Sequence, residues 1–120
     1  MLLRSKDKAA LISIFESVKT PFEVWAHGSR VNGHAHEASD LDLVVRGHQL
    51  QKLPVEVFSE LKGKIRDSNI PIVVELLDWA RLPESFHRNI EECHEVLFSN
   101  MHTQLNEPTS KYEKKGNSKG

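Results

Sequence analysis

Apolar residues recur every three or four positions at Leu11, Ile14, Phe15 and Val18, again at Phe58, Leu61 and Ile65, and a third time at Phe86, Ile90, Cys93 and Leu97. That period marks a helix with one buried stripe, so three helices are predicted. Strand-like runs rich in β-branched and apolar residues fall between them, near 23–27, 41–45 and 72–77. With a short helical turn at 29–33, the expected order is helix, strand, short helix, strand, helix, strand, helix. This predicts an α/β (α+β) domain, a small mixed β-sheet with flanking helices. The link from Gly28 to Ser39 is too short for a crossover helix, so the first two strands should pair antiparallel. Cys93 lies on the third stripe and reads as core. Trp25 and Trp79 sit at strand positions and read as core or partner surface. His87, Glu91 and His94 read as the solvated face of the last helix.

Composition narrows the class. A chain of 120 residues is one domain's worth, with apolar side chains enough for one core. The folded domain is expected over 1–105. Residues 106–120, NEPTSKYEKKGNSKG, read as a disordered polar tail. The tail holds four Lys and two Glu, which leaves 12 basic and 15 acidic groups before it. A mildly acidic body argues against direct nucleic-acid binding, and the tail lysines read as solubilising. A single cysteine excludes an internal disulfide framework and fits a reducing cytoplasm. No stretch is long or apolar enough for a membrane span, and Met1-Leu2-Leu3-Arg4 lacks a signal peptide's apolar region, so a cytoplasmic protein is expected.

The chemistry concentrates in VWAHGSRVNGHAHEASDLDLVV, Val24 to Val45. A Gly28-Ser29 turn follows one strand, and Asp40 and Asp42 open the next. Two residues apart on an extended chain, both carboxylates project from the same face and repel. Magnesium suits such a pair, because it takes oxygen ligands and is typically held by one or two carboxylates plus substrate phosphates. A nucleoside triphosphate is the expected substrate. Gly28 lets backbone approach a phosphate closely, the Ser29 hydroxyl can donate to it, and Arg30 can reach an oxygen bidentately. Ser39 is expected to fix the loop by hydrogen bonding near Asp40. On the third run, Glu75 shares parity with Val73 and Leu77, whereas Asp78 falls on the opposite face at the strand's exit and reads as a turn or cap residue. His34 and His36 have no third nitrogen or sulfur ligand in register and read as loop. His27 ends the first strand and reads as a packing residue near the pocket.

The pattern GS-x10-DxD, followed by an acid on a later strand, resembles the DNA polymerase β-like nucleotidyltransferase superfamily, and the short chain resembles its minimal nucleotidyltransferase (MNT) branch. The resemblance implies that Asp40, Asp42 and Glu75 are the catalytic and metal-binding acids, with one or two Mg²⁺ ions and ATP as nucleotide donor. Gly28, Ser29, Arg30 and Ser39 would form the nucleotide site. The family more often has Asp where this chain has Glu75 and an aromatic where it has His27. The resemblance further implies an antitoxin that adenylylates a HEPN-domain partner protein on a hydroxyl, commonly of tyrosine. Two alternatives stand beside it: a nucleotide-binding antitoxin with weak or no catalysis that acts by binding alone, and an enzyme that modifies a small molecule such as an antibiotic.

Overall fold

Alternation of apolar and polar residues builds the sheet in the computed structural model, which describes residues 1–33 and 39–101. In β1 (Phe22–His27), Phe22, Val24 and Ala26 are fully buried, as are Leu41, Leu43 and Val45 in β2 (Leu41–Gly47). A two-residue period puts each set on one face, and those faces join. The strands pair antiparallel, as expected from the short link, with Val24 opposite Val45 and His27 opposite Asp42. β3 (Val74–Asp78) lies parallel to β2, with Asp42 opposite Glu75. β4 (Glu95–Ser99) pairs antiparallel with the other side of β1, and the register shifts between Val24 and Trp25. The sheet is therefore mixed, in the order β3-β2-β1-β4.

Helices cover both faces. α1 (Ser5–Glu16) and α3 (Val55–Arg66) bring Leu11, Phe15, Leu61 and Ile65 onto the main core with the inward residues of β1 and β2. Phe15 meets Phe22 edge-on at 6.1 Å between ring centroids. α2 (Ser29–Asn32) is one turn between β1 and β2. α4 (Glu84–Glu92) lies on the opposite face, where Ile90 packs with Trp25, Val44 and Trp79. Pro54 and Pro83 immediately precede α3 and α4, where a helix start has no use for the missing N–H. Among the described residues no helix is long and apolar enough to cross a membrane.

The third apolar stripe is corrected. α4 ends at Glu92, Cys93 is extended and exposed, and Leu97 lies in β4. The residues after Cys93 include Val96, Leu97 and Phe98, a run that suits a pleated strand and pairs with the free side of β1. Phe86 is about half exposed, so the stripe's first member is not core either. The expected 106–120 tail, and the His34 and His36 pair, lie outside the described residues.

Candidate active site

The site lies at the end of β1 and the start of β2, on the sheet face away from the main core. Because His27, the last residue of β1, stands opposite Asp42, the residue that follows the strand passes over the Asp42 side chain. That residue is Gly28, with φ +81° and ψ −158°, a backbone region that glycine alone enters readily. A Cβ built on Gly28 would overlap the Asp42 carboxylate. The glycine thus serves a close approach within the protein as well as any approach to a ligand. Its carbonyl accepts from the amides of Val31 and Asn32 at 3.0 and 3.1 Å, which winds α2, and left-handed Gly33 ends it. Ser29 opens this turn and is partly buried.

Asp42 and Glu75 face each other across adjacent parallel strands, and exposed Asp40 immediately precedes β2. Burial pushes the Asp42 carboxyl above its usual value; Glu75 and Asp40 push the same way, against the attraction of His27. His27 is depressed by burial, and the charges of Asp42 and Glu75 only partly offset that. Its Nε2 is buried without a hydrogen-bond partner among the described residues. His27 therefore belongs to the acidic cluster rather than simply packing beside it. The available signal was cross-strand parity, once β1 and β2 are paired at this register.

No group of three or more His, Cys, Asp or Glu stands close enough among the described residues to hold a metal by itself. The donor chemistry nevertheless fits a hard divalent cation: oxygen ligands only from the acids, mutually repelling, of the kind such an ion takes together with substrate phosphates. Beside the Gly28 turn, a hollow of about 220 Å³ is lined by His27, Gly28, Asn32, Asn89, Ile90 and Cys93.

Arg30 turns inward. It is buried, and its Nε and Nη1 donate to the Ser39 carbonyl at 2.9 Å and the Leu2 carbonyl at 2.6 Å. The guanidinium thus ties α2 to the residue that precedes Asp40, and Ser39 takes part through its main chain. Asp78 is the cap its position suggests: its oxygens accept from Ala80 N and Leu53 N, each at 3.1 Å. Glu75 is left as the β3 acid at the site.

Behind the carboxylates, two residues further along β2 from Val44, Arg46 lays its guanidinium over Trp25 at 3.8 Å and Trp79 at 4.5 Å. Glu23 holds it at 3.2 Å and also accepts from Trp25 Nε1 at 2.8 Å. His94 stacks on Trp25 at 3.7 Å and His87 on Trp79 at 4.0 Å. His87 and His94, expected on a solvated face, instead dock α4 and its C-terminal end against the sheet. Glu91 alone of the three is exposed as expected.

The family described as Polymerase beta, Nucleotidyltransferase matches residues 9–103. A Haemophilus influenzae protein named "Probable protein adenylyltransferase MntA" is 33% identical over 97 residues, 79% of this chain and 82% of that protein. A crystal structure of a toxin–antitoxin with AMP-PNP superposes with a TM-score of 0.63 at 19% identity, covering 79% of this chain and 75% of that one. A Sulfolobus solfataricus structure gives 0.50 at 16% identity, with 78% of each chain covered. At these identities the two structures establish likeness of fold.

Proposed function

Since the chain belongs to the polymerase beta nucleotidyltransferase family and is an MNT-type nucleotidyltransferase, we propose that it moves the AMP of ATP onto a hydroxyl of a partner protein, as the antitoxin of a cytoplasmic pair with a HEPN-domain toxin. The observation that carries this reading is the register that sets Asp42 beside Glu75 under the Gly28-Ser29 turn. The name of the Haemophilus relative supports protein adenylylation, and the AMP-PNP in the toxin–antitoxin neighbour supports an adenine nucleotide.

In this mechanism Asp40 and Asp42 would hold Mg²⁺, with Glu75 on the acceptor side. The ion, when bound, would supply Lewis-acid neutralisation of the triphosphate charge. Gly28 admits the phosphates close to the backbone, and the Ser29 hydroxyl donates to one of their oxygens. Arg30 keeps Ser39 and Asp40 fixed relative to α2. Glu75 accepts the proton of the acceptor hydroxyl as that oxygen bonds to the α-phosphorus. The bond from the α-phosphorus to the bridging oxygen breaks, and pyrophosphate leaves.

A second reading, neutralisation by binding alone, draws on the longer side chain of Glu75 and the absence of a ready-made three-ligand group among the described residues. One experiment separates the two. The protein is incubated with α-phosphate-labelled ATP, Mg²⁺ and a candidate HEPN-domain partner protein, with Asp42→Asn as control. Label on the partner, absent in the control, supports transfer. A stable complex and intact ATP binding without label would overturn transfer in favour of binding alone.

A further inference from the structure

We propose that the acceptor reaches Glu75 as an extended polypeptide segment that adds antiparallel to the outer edge of β3; this rests on the reading above, that the acceptor is a protein. β3 ends the sheet, and no described residue pairs with its outer side. Leu41 N donates to Val73 O at 2.8 Å while Leu41 stands opposite Val74, so residues 73, 75 and 77 exchange their backbone bonds with β2. The N–H and C=O groups of Val74 and Leu76 therefore point outward, on either side of Glu75. Such a row of groups is a template for another strand.

The two faces of that edge differ in a way that dictates what can pair there. On one face, Glu75 stands beside the Asp42 carboxylate. On the other, a groove of about 340 Å³ between α3 and β3 is lined by Ile65, Ile70, Ile72 and Leu76, with Lys62 and Arg66 at its rim. In an antiparallel addition, Glu75 forms a non-hydrogen-bonded pair, whose Cα atoms approach to about 4.5 Å and whose side chains are the closer kind. The side chain opposite Glu75 then lies on the carboxylate face, and its two chain neighbours fall into the groove. The fitting segment has a hydroxyl residue flanked on both sides by apolar ones. Among the described residues Arg66 is ion-paired only with exposed Asp67 at 3.3 Å, a contact of little strength, and Lys62 lies over the Phe58 ring at 5.5 Å. The rim is left positive, so acidic residues complete the segment.

The test uses the full chain, Mg²⁺-ATP and synthetic peptides with a central tyrosine between valines and glutamates at the ends, against shuffled and lysine-ended versions. The expected result is slowed amide exchange at Val74 and Leu76 with the first peptide, and about tenfold tighter binding than the others. Lys62→Glu with Arg66→Glu should transfer that preference to the lysine-ended peptide. Val74→Pro, which removes an outward N–H at a strand start, should cut label transfer about 100-fold, as misplacing a reacting group does, while leaving binding of ATP unchanged. Label transferred to a polypeptide with the Val74 and Leu76 amides unprotected would overturn the edge and leave protein adenylylation standing. Protected amides with no label would overturn adenylylation and keep the edge. Protection of those amides in the protein alone, at the mass of a dimer, would assign the edge to a second copy and overturn the proposal.

Discussion

Gly28 and Asp42 share one volume. The glycine's positive-φ backbone and the carboxylate against its Cα leave no place for a methyl group. Gly28→Ala should cost about 1–3 kcal/mol for that backbone conformation alone, and more from displacing Asp42; thermal melts and initial rates of transfer read the two effects. Asp42 also costs the metal-free protein something. Its folded carboxyl lies above the usual 3.8, so its contribution to stability is present below that value and is lost as pH rises through the raised one. At neutral pH the metal-free Asp42→Asn variant should therefore melt higher than the wild type while losing transfer; a lower melting temperature would show that the charge is not a burden there. His27 has the opposite sign. Depressed below 6.5, it contributes fully above that pH, and the contribution is lost as acid protonates the ring. Asp40 and Asp42 were legible because their relation is local, and parity along one strand chose Glu75 over Asp78. The inward turn of Arg30 and the place of His27 were not, because both depend on what a distant segment brings alongside.

Two elements at the end of the described chain show where periodicity misleads. Ile90, Cys93 and Leu97 have helical spacing, but the helix stops at Glu92 and the same residues straddle a turn and a strand. Side-chain spacing cannot register that β1 has a vacant side, and pairing there decided the outcome. α4 is likewise held by contacts its own amphipathicity does not announce: Ile90 at the sheet, His87 and His94 stacked on tryptophans, and Arg46 between the two rings. Trp79 is nearly buried at the centre of this arrangement. Trp79→Ala should cost about 3–5 kcal/mol, the usual range for deleting a large buried aromatic. Urea unfolding measures the loss, and a change below about 1 kcal/mol would mean that α4 is held elsewhere.

At the scale of the whole molecule, the mixed sheet and its antiparallel start were readable from one short link, whereas the position of β4 beside β1 was not, since no local signal states which edge a last strand will join. Ligand binding is read at this scale too. A nucleotide that binds only the folded chain stabilises it by about 2.7 kcal/mol at a concentration 100 times its Kd. Mg²⁺-ATP should raise the melting temperature accordingly, EDTA should remove most of the gain, and Asp42→Asn should show little of it; equal shifts with and without the metal would count against the carboxylates as its ligands. The two stacked pairs, Trp25 with His94 and Trp79 with His87, have an optical consequence. A histidine ring in van der Waals contact can quench indole emission by electron transfer, and both tryptophans of the chain are in such contact. Intrinsic fluorescence is therefore a native gauge of whether α4 sits on the sheet: dim when docked, and bright when the helix lifts from the face that carries Asp42.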